Sequence, residues 1–184
     1  MIALTEAPAG RLRTAWRAAH DPADGVPRWA WIAACAVPLT VLPSGLWRLA
    51  VAFTADGMPF GERIYLVFLT LLSELVAFTA IGMVATWGER FPRWVPRLRG
   101  RRVPVRAAVV PAALGAAVLT VLWTSAFVTH HAGITIRGEP TPANFPTNAG
   151  GWEAAVFYLS YLPLLLWGPL LAAVTIAYHR RRTR

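Results

Sequence analysis

Four long apolar runs, at residues 29–53, 64–87, 107–129 and 154–178, constrain this chain more than any other feature. Crossing about 30 Å of hydrocarbon takes roughly 20 helical residues, and each run is long enough. The first carries Arg48 as its only charge and the second Glu74; the third and fourth carry none. The runs are too long for strands, and no ten-residue alternation suggests a membrane barrel. Lipid leaves the backbone no other partner, so each run is expected to be a helix. The expected fold is all-α: a polytopic membrane protein built as a four-transmembrane-helix bundle over residues 29–178. A tail at 1–28 and a basic tail at 179–184 flank it.

Composition excludes the alternatives. Of 184 residues, 56% are hydrophobic and 15% charged, against about 25% charged in an average soluble domain. A globule of this size cannot hide that excess, and nine Trp with eight Phe exclude a disordered chain. The lone cysteine, Cys35, lies within the first run, so neither an internal disulfide framework nor a multi-cysteine metal site is expected. That run begins later, and is longer, than the apolar core of a signal peptide, so we expect it to stay as a span.

All 18 basic residues are arginine, and the net charge is +9. Fifteen of them fall in three places: the tail before residue 29, the segment 88–106, and the C-terminus from Arg180. The positive-inside rule then puts both termini and the 88–106 segment in the cytoplasm of a cell-membrane protein. The arginines adjoin apolar spans, so anionic lipid headgroups are the expected partners, and nucleic acid is not. Pro92, Pro96 and Pro104 forbid one continuous helix in 88–106. Leu12, Ala15, Trp16 and Ala19 recur at helical spacing beside Arg11, Arg13 and Arg17, which predicts a short interfacial helix. The opposite loop, 130–151, holds Pro140, Pro142 and Pro146 and reads as irregular, solvated chain.

Within the bundle, Ala108, Ala112, Ala116, Thr120 and Thr124 form a row at four-residue spacing, the pattern that lets helices approach closely in lipid. Pro38, Pro43, Pro111, Pro163 and Pro169 mark expected kinks. Glu74 falls at the middle of the second run, where a charge costs about 2.5–3.5 kcal/mol on insertion scales. Thr70 and Ala77 share its helix face. Arg48 is the natural partner. The two spans run in opposite directions and their side chains lean toward each other in depth. One reading is purely structural: an ion pair that sets how spans one and two pack, or Arg48 reaching to the surface. The other is chemical, with Glu74 as acid or base at the floor of a pocket. Arg48, Thr70, Trp123, Tyr158, Tyr161, His130 and His131 would line that pocket. Adjacent helical histidines point about 100° apart and do not grip one metal, so no metal is expected at His130 and His131. The common phosphate, dinucleotide, hydrolase and zinc motifs are missing, and no cofactor is expected.

Residues 87–96 (Trp87 to Pro96), 100–105 (Gly100 to Val105) and 161–171 (Tyr161 to Leu171) resemble small actinobacterial four-helix integral membrane proteins. The likeness runs from Trp29 onward. It implies the membrane class and brings no catalytic residue with it. Three functions remain open on the sequence. The first is an accessory or structural multi-pass protein, as a homo-oligomer or with a protein partner. The second is an intramembrane enzyme acting on a lipid or isoprenoid. The third is a small proton-coupled transporter.

Overall fold

The structure, a computed structural model, describes residues 23–89, 102–143 and 145–184. The interfacial helix expected near residues 11–19 and the arginines at 90–101 lie outside them. Three long helices come first: α1 (Arg28–Thr54), α2 (Phe60–Gly82) and α3 (Val105–His131). One helical turn, α4 (Pro146–Ala149), leads into the fourth span, Gly151–Thr183. That span is made of α5 (Gly151–Tyr161), a 3₁₀ turn at Leu162–Leu166, and α6 (Trp167–Thr183). All four spans are long and apolar enough to cross a membrane. Among the described residues there is no strand; β pairing is limited to isolated bridges, such as that between Ile134 and Pro140.

The second helix lies four to five residues earlier than its apolar run. It starts at Phe60 and stops at Gly82. There the chain folds back: the Trp87 ring stacks on Phe78 at 6.3 Å and lies against Gly82, where a Cβ would come within 2.7 Å of it. Hydropathy alone cannot see this reversal, because the returning residues are as apolar as the helix they cover. The fourth span breaks at Pro163. Pro163 opens the 3₁₀ turn and Pro169 sits in the first turn of α6, positions where a missing N–H costs nothing. Pro38 and Pro43 lie within a continuous α1, and Pro111 within α3.

The helices stand side by side in the order α2, α1, α6, α3. Helix α1 is central and packs on α2, α5, the 3₁₀ turn and α6. Its buried face is small: Ala30, Ala34, Val37 and Val41 recur at helical spacing and are fully covered. Ala77 and Ala80 of α2, and Val174 and Tyr178 of α6, complete this core. Thr40 and Ser44 are buried there too; each donates its hydroxyl to a carbonyl of its own helix, Val37 and Val41 respectively.

Helix α3 packs closely on α6 and the 3₁₀ turn and meets α5 through ring contacts at the hairpin end; it makes no close approach to α2. The alanine row is its seam. Ala116 is buried, Ala108 and Ala112 pack on the core, and Gly168 of α6 sits against the Ala116 carbonyl and Thr120. Thr124, the last of the row, is exposed. Between α2 and α3 an open groove of about 400 Å³ runs over Leu171 and Tyr178. Outward from it the surface is apolar: Phe68, Leu71 and Leu75 of α2, and Leu114, Val118 and Val121 of α3, are each more than half exposed.

The two ends of the bundle differ. At the arginine end, Ala23 donates its N–H to the Val84 carbonyl, so the chain entering α1 meets the end of α2. Arg181 pairs with Glu89 at 2.6 Å and donates to the Asp24 and Met83 carbonyls. Arg182 donates to the Val103 carbonyl, and both guanidiniums lie over the Tyr178 ring. The last turn of α6 thus ties together the three chain segments at this end. At the hairpin end, residues 132–143 are more ordered than expected of solvated chain. Thr135 bonds the Glu139 carbonyl and Thr141 the Gly133 carbonyl; Gly133 and Gly138 take positive φ values of 74° and 83° to allow it. Ile134, Ile136 and Phe145 give this loop an apolar side, which folds onto the bundle and accounts for its order.

Candidate functional site

The intramembrane charges lie in the seam between α1 and α2. Arg48 is nine-tenths buried. Its Nε donates to Thr70 Oγ1 at 3.2 Å and its Nη2 to Ser73 Oγ at 3.0 Å. Ser73 passes its own proton on to the Thr70 carbonyl at 2.9 Å. One guanidinium therefore bolts two helices together through two hydroxyls.

Glu74 is beside this cluster but outside its hydrogen bonds. Its Oε1 is fully covered with no hydrogen-bond partner and stands 3.4 Å from where a Cβ on Gly45 would be. Gly45 is what lets α2 come this close. Among the described residues the ion pairs are those of Glu89; Arg48 reaches Glu74 by charge only, from more than 4 Å. The reason is register. Helix α2 runs antiparallel to α1, and Thr70 and Ser73 precede Glu74, so they lie nearer the level of Arg48 and meet it first.

A second group of candidates gathers at the hairpin end. Trp123, His130, Tyr158 and Tyr161 line one pocket of about 270 Å³ between α3, α5 and the hairpin. Phe157 stacks on Tyr161 with centroids 4.6 Å apart, and Trp123 stands 6.4 Å from Tyr161. His130 packs between Phe145 at 5.3 Å and Phe157 at 5.9 Å. Helical spacing explains the grouping: Tyr158 and Tyr161 are three apart on α5, and Trp123 and His130 are two turns apart on α3. His131 does not line the pocket but packs behind it, its ring on Phe127 at 4.5 Å and stacked on Tyr158.

The residues proposed from sequence thus divide. Trp123, His130, Tyr158 and Tyr161 come together, with His131 on their flank. Arg48 and Thr70 come together in the α1–α2 seam. The two groups are separate: no residue of the α1–α2 seam lines the aromatic pocket. Glu74 lines neither the aromatic pocket nor the α2–α3 groove. Sequence reasoning missed Ser73, whose place one residue before Glu74 was a usable signal. It also missed Phe127, Phe145, Phe157 and the hairpin residues Ile134 and Thr141 that line the pocket. Apolar side chains spaced through a proline-rich loop are the trace they leave in the sequence. Among the described residues no three metal-ligating side chains converge. The chain matches no protein-family model, no curated protein and no solved structure.

Proposed function

We infer that this chain is a multi-pass protein of the cell membrane, with both termini and the 88–106 segment cytoplasmic, that acts as an accessory or structural protein and not as an enzyme. The observation that carries the reading is the use made of Arg48. It spends its hydrogen bonds on Thr70 and Ser73, cross-linking α1 to α2, and Glu74 packs against Gly45 in the same seam. Hydrogen bonds between side chains of neighbouring helices help to hold membrane bundles together. The arginines support the sidedness. Arg181 and Arg182 gather at one end of the bundle with the chain that enters α1, where anionic headgroups are the natural neighbours. The open groove between α2 and α3 supports lateral association, with a second copy or with a partner's helix.

The test is Glu74→Gln, followed in membranes and in detergent. The accessory reading expects abundance or assembly to change, and no turnover or flux to be lost. A second reading, a proton site for transport, is favoured by the covered and unpartnered Oε1 of Glu74. A proton flux in proteoliposomes that Glu74→Gln abolishes, with abundance and assembly intact, would put transport in place of the accessory role.

A further inference from the structure

At the arginine end, segments from all four spans converge on one cleft of about 700 Å³. The chain entering α1 contributes Asp24, and the turn after α2 contributes Glu89. Arg102 comes from the chain entering α3, and Arg181 and Arg182 from the last turn of α6. Five of the seven lining residues are charged. Neither the aromatic pocket nor the α2–α3 groove is lined by a single carboxylate or guanidinium. Those two spaces suit apolar occupants; this one suits a charged group.

Not all of the cleft's charge is satisfied within the chain. Glu89 takes Arg181 at 2.6 Å and, more loosely, Arg182 at 3.8 Å. Arg181 also donates to the Asp24 and Met83 carbonyls, and Arg182 to the Val103 carbonyl, so both guanidiniums are held in place. Arg102 differs. It is exposed, and among the described residues its side chain has no ion pair or hydrogen bond. Three arginines against two carboxylates leave the cleft with one net positive charge.

That balance selects the occupant. A phosphodiester carries one negative charge and offers free oxygens in the geometry a guanidinium matches. A phosphate monoester, at about −1.5 to −2, would overshoot and press against Asp24 and Glu89. A choline headgroup brings its own cation beside the phosphate and gains less from the unpaired Arg102. We propose that this cleft holds the phosphodiester of one anionic phospholipid, with Arg102 as its main partner and Arg182 as the second. The proposal deepens the headgroup side of the reading above and rests on that end of the bundle lying at a membrane surface.

The test uses the full chain in an uncharged detergent, titrated with phosphatidylglycerol, phosphatidylcholine or diacylglycerol and read by native mass spectrometry. One phosphatidylglycerol is retained per chain, phosphatidylcholine binds about tenfold more weakly, and diacylglycerol is not retained. Arg102→Ala weakens phosphatidylglycerol binding about tenfold, the value of a charged hydrogen bond lost. Its exposed side chain ties down no described segment, so this variant folds. Arg137→Ala removes the same charge at the hairpin end and leaves binding unchanged. Unchanged binding in Arg102→Ala, an equal loss in Arg137→Ala, or retention of diacylglycerol would overturn the proposal. Displacement of the lipid by an equal concentration of glycerol 3-phosphate would overturn the lipid as the source of the phosphate. An inverted bundle would leave binding in detergent intact and show only in labelling of its two ends on intact cells. Failure of the membrane reading would show earlier, as a chain soluble without detergent before any lipid is added.

Discussion

Gly168→Ala tests how α3 is held. A Cβ on Gly168 would lie 2.6 Å from the Thr120 backbone nitrogen and 2.8 Å from the Ala116 carbonyl oxygen, and it would collide with Thr120 Oγ1. A normal contact is about 3.5 Å, so α3 must retreat by roughly 0.9 Å. Two of the three obstructing atoms are backbone and cannot rotate away. Overpacking of this kind costs about 1–3 kcal/mol, while the better helix propensity of alanine returns up to about 1 kcal/mol. The expected net loss is about 1–2 kcal/mol, or about five- to thirtyfold in the unfolding equilibrium. The backbone of α3 packs closely only on α6 and the 3₁₀ turn, so this seam takes most of the load.

Gly115→Ala is the control. Its Cβ would meet only a Leu171 methyl at 4.0 Å, an ordinary contact, so that variant is expected to be neutral or stabilised by up to about 1 kcal/mol. Thr120→Ala in the Gly168→Ala background removes the hydroxyl and leaves the two backbone obstacles, so it rescues only part of the loss. The assay is equilibrium unfolding in detergent micelles titrated with SDS, read by tryptophan fluorescence. A Gly168→Ala curve within about 0.5 kcal/mol of wild type, or full rescue by Thr120→Ala, would refute the packing argument.

Two further outcomes follow from the same structure. Arg48→Ala should destabilise the α1–α2 seam by about 1–2 kcal/mol, the worth of its bonds to Thr70 and Ser73 in a membrane setting; an unfolding midpoint equal to wild type would remove Arg48 from that role. In a background lacking Cys35, Gly138→Cys on the hairpin should react with an impermeant maleimide on intact cells, whereas Gly100→Cys should react only after permeabilisation. The reverse pattern would invert the bundle in the membrane.

How much of this was legible in the sequence differs by element. The four spans were, because in hydrocarbon an unpaired backbone is intolerable and a 20-residue apolar run has one solution. The alanine row was legible as a packing face, since four-residue spacing keeps Ala108, Ala112, Ala116 and Thr120 on one side of α3. Thr124 left the seam because α6 gives way to the 3₁₀ turn there, a matter of partner geometry and not of spacing. The end of α2 at Gly82 was hidden for a related reason. Trp87 returns over its own helix, and an apolar residue that covers a helix scores like one that extends it.

The candidate site shows the division most clearly. Residue type and depth alone singled out Glu74, Arg48, Thr70 and the pairs Tyr158 with Tyr161 and His130 with His131, because a charge or a polar ring inside lipid has to be accounted for. Depth, however, is only one coordinate. Rotation about each helix axis and the order α2, α1, α6, α3 put Arg48 on Thr70 and Ser73, not on Glu74. They also turned His130 into the aromatic pocket and His131 out of it. Periodicity within one helix gives the relative facing of its own residues, but which neighbour that face meets is set by packing between helices. That is why the membrane class was decided by the sequence, whereas the partition of its polar residues into a helix seam and a separate pocket was decided only by the fold.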